Sequence, residues 1–110
     1  MIKMIKKNFL QETKEMLERH NKTFDDVIFI ADTDTKTYIL PEEFASRAKE
    51  INYDNGYGLT HINTYLIVVG KDFWLERHEY DGAEWWEYKE QMYIDNFTPE
   101  DKNTGAYVYL

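Results

Sequence analysis

His78 follows Glu76 by two residues, and Glu87 comes nine residues later. In an extended strand, residues two apart share a face, so Glu76 and His78 are presented together. A hairpin turn at Asp81-Gly82 would bring Glu87 diagonally beside them. Imidazole and carboxylate are ligands for zinc and other divalent metals. His61 and Asp54 precede this segment and are further donors. His78, Glu76, Glu87, His61 and Asp54 therefore form a candidate metal site. No spacing among them matches a known metal motif such as His-Glu-x-x-His. The plainer alternative is His78 hydrogen-bonded to a carboxylate on a sheet surface, within an ordinary ion-pair network.

Other chemistry is weaker. Asp32-Thr33-Asp34-Thr35 resembles the start of a calcium loop, but Thr37 stands where that loop needs Gly. β-forming residues continue to Leu40, so a hairpin turn is expected instead. Asn55-Gly56-Tyr57-Gly58 is followed by no phosphate-binding pattern. Ser46 is the only serine and lacks a nucleophile elbow. The chain is therefore expected not to be an enzyme. Trp74, Tyr80 and Trp85, rimmed by Glu76, Asp81, Glu84 and Glu87, offer a different activity. Aromatic anchors surrounded by charge are the composition of a protein-binding surface.

The elements that must position these groups are legible. Asn8 followed by Gln11 has the form of a helix N-cap, and Asn21 suits a helix end, predicting a helix over about residues 4–20. Val27-Ile28-Phe29-Ile30 and Lys36–Leu40 predict a hairpin. Pro41 with Glu42 and Glu43 predicts a second helix, ending before the loop at Asp54–Gly58. Thr64–Val69, Phe73–Tyr80 and Glu84–Lys89 predict a three-stranded meander, with turns at Gly70-Lys71 and Asp81-Gly82. Those turns pair Val68 with Phe73, Leu66 with Leu75, and Arg77 with Trp86. One face then carries Leu66, Val68, Phe73, Leu75, Trp86 and Tyr88, which suits a core. The other carries Tyr65, Ile67, Trp74, Glu76, His78, Tyr80, Trp85 and Glu87. The fold class expected is α+β: one antiparallel meander, an N-terminal hairpin and two helices in a single domain spanning 1–110.

The chain has 110 residues, no Cys, and a net charge of −8. Without Cys there is neither a disulfide framework nor a thiolate zinc site. The first 24 residues hold six bases against three acids, whereas the last 39 hold ten acids against three bases. An acidic C-terminal half repels a phosphate backbone, so direct nucleic-acid binding is not expected. It suits a basic groove on another protein. The longest apolar run, Tyr65–Val69, is too short to cross a bilayer. The basic start lacks an apolar signal-peptide core, and a cytoplasmic protein is expected.

Two segments carry a resemblance. Tyr53-Asp54-Asn55-Gly56-Tyr57-Gly58 is one. The other runs from Leu66 to Glu87 through Leu75-Glu76-Arg77-His78-Glu79-Tyr80-Asp81-Gly82 and Glu84-Trp85-Trp86-Glu87. Across roughly residues 53–89 the chain resembles small acidic proteins of phages and mobile elements of Firmicutes. Such proteins include anti-CRISPR inhibitors of type II effector nucleases. The resemblance implies a phage-encoded inhibitor in the host bacterial cytoplasm, with a type II-A CRISPR effector nuclease as partner. Those effectors hold nucleic acid in positively charged channels. Trp74, Glu76, His78, Tyr80, Asp81, Glu84, Trp85 and Glu87 are the candidate contacts. The alternative is a metal-binding structural or accessory phage protein, holding a zinc-like divalent ion.

Overall fold

Asn8 decides where the first helix begins. Its backbone is extended, and its side chain accepts a hydrogen bond from the Gln11 amide at 3.0 Å. In this computed structural model, which describes residues 6–54 and 60–91, α1 therefore spans Phe9–Arg19. The expected start near residue 4 is too early. Lys6–Asn8 instead forms strand β1, antiparallel to β4 (Asn52–Asp54). The Asn8 amide also donates to Lys49 O at 2.9 Å and to Asn52 Oδ1 at 3.0 Å. One side chain thus caps a helix and ties down a strand pair. At the other end Asn21 takes a left-handed φ of 60°, and Lys22 N–H bonds Leu17 O, closing the helix as expected.

A 3-10 turn, Phe24–Asp26, leads into β2 (Val27–Asp32). The turn to β3 (Thr37–Ile39) is built by Asp32, whose Oδ1 accepts from the Asp34 and Thr35 amides at 2.8 and 3.0 Å. Its Oδ2 accepts from the Asn63 side-chain amide at 2.7 Å, so Asp32 serves the β2–β3 hairpin that the sequence predicts. Helix α2 runs over Pro41–Ala48, with Pro41 in its first turn. β5 (Leu66–Gly70), β6 (Phe73–Tyr80) and β7 (Ala83–Glu90) complete a five-stranded antiparallel sheet in the order β3-β2-β5-β6-β7. The fold is α+β, and the hairpin and the meander belong to one sheet.

Alternation then sorts the side chains. Ile30, Val68, Phe73, Leu75 and Trp86 face inward and are buried with Phe9 and Leu17 of α1 and Phe44 and Ala48 of α2. Fully burying one such side chain contributes roughly 1.5–3 kcal/mol. Both helices pack on this inner face. No described helix covers the outer one. Among the described residues, no helix is long and apolar enough to cross a membrane.

Candidate functional site

The β6–β7 turn sets the geometry of the site. Asp81 and Gly82 both have positive φ, 51° and 87°, the pattern of a two-residue type I′ turn. It puts Tyr80 opposite Ala83, His78 opposite Trp85, Glu76 opposite Glu87, and Trp74 opposite Lys89. All of these side chains belong to the outer face. The preceding turn differs from expectation. Val68 pairs with Leu75 and Val69 with Trp74, so the turn lies at Lys71-Asp72 and the register moves by two residues. An even shift preserves the faces. The division into core and outer residues therefore stands, although the individual pairs change.

Glu76, His78 and Glu87 converge on the outer face. His78 Nε2 lies 2.8 Å from Glu76 Oε1 and 3.2 Å from Glu87 Oε2. The second oxygen of each carboxylate is also engaged. Glu76 Oε2 accepts from the Trp74 indole N–H at 3.0 Å, and Glu87 Oε1 from the Trp85 indole N–H at 3.4 Å. Lys89 Nζ stands 3.5 Å from Glu87 Oε2 and 4.0 Å from Glu76 Oε1. The hydrogen bond with His78, reinforced by that from Trp74, holds the Glu76 carboxyl below the ordinary carboxylate range. All three members of the cluster are partly open to solvent.

Two expected metal ligands are elsewhere. His61 lies beside Glu84, with Nδ1 3.6 Å from Glu84 Oε2, and Asp54 pairs with Lys6 in the small sheet. Neither joins the cluster of Glu76, His78 and Glu87. Glu84 also departs from expectation. It is on the inner face and only 3% exposed, so it cannot serve as a surface contact. The alternation of β7 forces this, because Glu84 shares its face with Trp86.

Glu84 has a structural partner instead. Its Oε1 lies 3.2 Å from Arg77 Nη2, and it accepts the amides of His61 and Ile62 at 2.7 and 3.0 Å. Arg77 reaches Glu12 Oε1 at 3.0 Å and Tyr53 Oη at 3.1 Å. Burial, with the hydrogen bond to Glu12, raises the Tyr53 phenol above its usual value and keeps it protonated. Glu12, Tyr53 and Arg77 are absent from the sequence candidates. The available signal was Arg77 in a strand whose same-face neighbours are Phe73 and Leu75, because a buried cation needs anions.

The remaining outer face is apolar and aromatic. Phe29, Val69, Trp74 and Lys89 form one row across four strands, and Ala31, Ile67, Glu76 and Glu87 form the next. Tyr38 extends it onto β3, its ring 5.8 Å from that of Phe29. Tyr80 and Tyr38 are 77% and 68% exposed. The face thus grades from acidic around His78 to apolar around Phe29. A cavity of about 220 Å³ lies beside β2, β3 and α2, and none of the candidate site residues lines it. No family model, curated protein or solved structure matches this chain.

Proposed function

We propose that the protein is a non-catalytic binding module that uses the outer face of its sheet to engage a basic surface on a partner protein. One observation carries this reading. Both helices lie on the inner face, while Trp74, Tyr80 and Trp85 stand on the other beside Glu76 and Glu87. Tyr and Trp supply contact area at low entropic cost, and a polar rim sets orientation and specificity. The net charge of −8 favours a basic protein over nucleic acid itself. The sequence resemblance supplies the first partner to try: a type II-A CRISPR effector nuclease of a host bacterium, inhibited by a phage-encoded protein. Its nucleic-acid channel has the complementary charge.

The test mixes the purified protein with a guide-loaded type II effector and reads target binding and cleavage separately. Loss of both is expected if the acidic face occupies the DNA channel. Loss of cleavage alone would place the block at nuclease-domain docking. Tyr80→Ala and Trp85→Ala should weaken the complex at least tenfold while far-UV circular dichroism stays unchanged. Added salt should slow association, because steering by exposed charge is screened. Absence of a complex across several effectors rejects this partner. A complex indifferent to both substitutions rejects this face.

A further inference from the structure

Glu76 and Glu87 are direct cross-strand neighbours. Like charges at such positions repel. Yet the two carboxylates turn toward each other rather than apart, each placing one oxygen on the same nitrogen, His78 Nε2. A neutral imidazole nitrogen carries one proton or one lone pair, so it cannot donate a full hydrogen bond to both oxygens. Three donor atoms therefore point at one place. The imidazole offers them one proton, and the Lys89 ammonium stands off at 3.5 Å from Glu87 Oε2 and 4.0 Å from Glu76 Oε1. A divalent cation would meet all three directly.

The distances suit such an ion. In a tetrahedral zinc site with bonds of about 2.0–2.2 Å, neighbouring ligand atoms stand about 3.3–3.6 Å apart. The nitrogen-to-oxygen separations here are 2.8 and 3.2 Å, and all three donor atoms lie within 4.8 Å of one another. Small rotations of exposed side chains would open the triangle. The outer oxygens are already held by two indole N–H groups, from Trp74 and Trp85. Partners of this kind orient metal-ligating carboxylates. Lys89 Nζ, 3.5 Å from Glu87 Oε2, is an internal cation that an ion would displace.

We propose that Glu76, His78 and Glu87 form a binding site for one divalent transition-metal ion of the zinc type, held by His78 Nε2 and one oxygen from each carboxylate, with water completing the shell. One imidazole with two carboxylates favours zinc and its neighbours over calcium or magnesium, which take oxygen ligands. The proposal is independent of which partner, if any, the surrounding face binds.

The test uses the full chain stripped with EDTA and titrated with Zn²⁺ against a chromophoric chelator. The expected result is one zinc per chain. His78→Ala and Glu87→Gln should each weaken binding at least tenfold. Trp74→Phe, which removes the N–H donor to Glu76, should weaken it about tenfold. Lys89→Met should strengthen it several-fold by removing the competing cation. Bound Co²⁺ should give visible absorption that His78→Ala lacks. Far-UV circular dichroism checks that each variant folds. His20→Ala and His61→Ala should leave affinity unchanged. Absence of stoichiometric binding overturns the proposal, as does affinity that survives His78→Ala or follows His61 or His20.

Discussion

Arg77 lies directly across the β6–β7 ladder from Trp86, and its guanidinium carbon sits 4.8 Å from the indole ring centroid. Phe9 and Tyr53 take up neighbouring positions at 5.3 and 5.9 Å. The cation is thus enclosed by aromatic rings, while Glu12 and Glu84 neutralise it at its tip. The network joins α1, β4, β6 and β7, so it fixes the platform on which the outer face is displayed. Removing the cation leaves Glu84 buried without its counter-charge. Arg77→Met is expected to destabilise the fold by roughly 3–5 kcal/mol in urea unfolding. Arg77→Met combined with Glu84→Gln should cost less than the sum of the single changes, because the two residues share one network. Additive costs would show that they do not act together.

Gly70 is expected to tolerate no side chain. A Cβ there would overlap the ring of Phe73, which is 2% exposed and stacks on Tyr88 at 5.5 Å. Gly70→Ala must therefore displace a core ring, at a cost of roughly 1–3 kcal/mol. Thermal unfolding should register the loss, and Phe73→Leu in the same chain should recover part of it. A Gly70→Ala variant as stable as the parent would show that the ring moves freely.

The same glycine moves the β5–β6 turn away from where the sequence predicts it. Gly70 reads as a turn residue, but the ring of Phe73 requires it at the end of β5, and the turn moves to Lys71-Asp72. The second turn was legible because Asp81-Gly82 carries its own backbone preference into the structure. Trp85 and Trp86 had to face opposite ways once that turn was placed. β1 and β4 were not legible, since Lys6–Asn8 and Asn52–Asp54 are three residues each and largely polar. Their pairing depends on Asn8, whose cap is encoded locally by its spacing to Gln11 but whose bond to Asn52 is long-range. For the same reason the sequence does not reveal Glu12 and Tyr53 as partners of Arg77. They lie 65 and 24 residues from Arg77, and no local pattern encodes such a meeting.

Trp86 raises a separate expectation about α1. Its indole N–H donates to Thr13 Oγ1 at 2.9 Å, and the Thr13 hydroxyl donates to Phe9 O at 2.8 Å. Thr13 and Trp86 are both almost completely buried. Thr13→Val preserves shape but leaves the indole N–H without an acceptor, which costs about 1–3 kcal/mol. Thr13→Ser keeps the acceptor and should lose less. The two variants can be ranked by their urea midpoints, and the reverse order would mean that the methyl group matters more than the hydroxyl.

Acid stability should report on the His78 cluster. The Glu76 carboxyl is held below its ordinary value of 4.5 by its hydrogen bond with His78 and then by that from Trp74. A carboxylate depressed on folding stabilises the fold above its unfolded value, and this contribution fades as pH falls through the folded value. Asp32 behaves alike, held down first by the Thr35 amide and then by Asn63, so both act below their ordinary values of 4.5 and 3.8. Wild-type stability should therefore fall as pH drops below about 4.5. Glu76→Gln carries no titrating group and mimics the protonated acid. Its stability deficit should be largest near neutral pH and shrink as the medium is acidified. Unfolding curves collected from pH 7 to pH 3 provide the measurement. A deficit that stays constant across that range would mean that the carboxylate charge of Glu76 contributes nothing to the folded sheet.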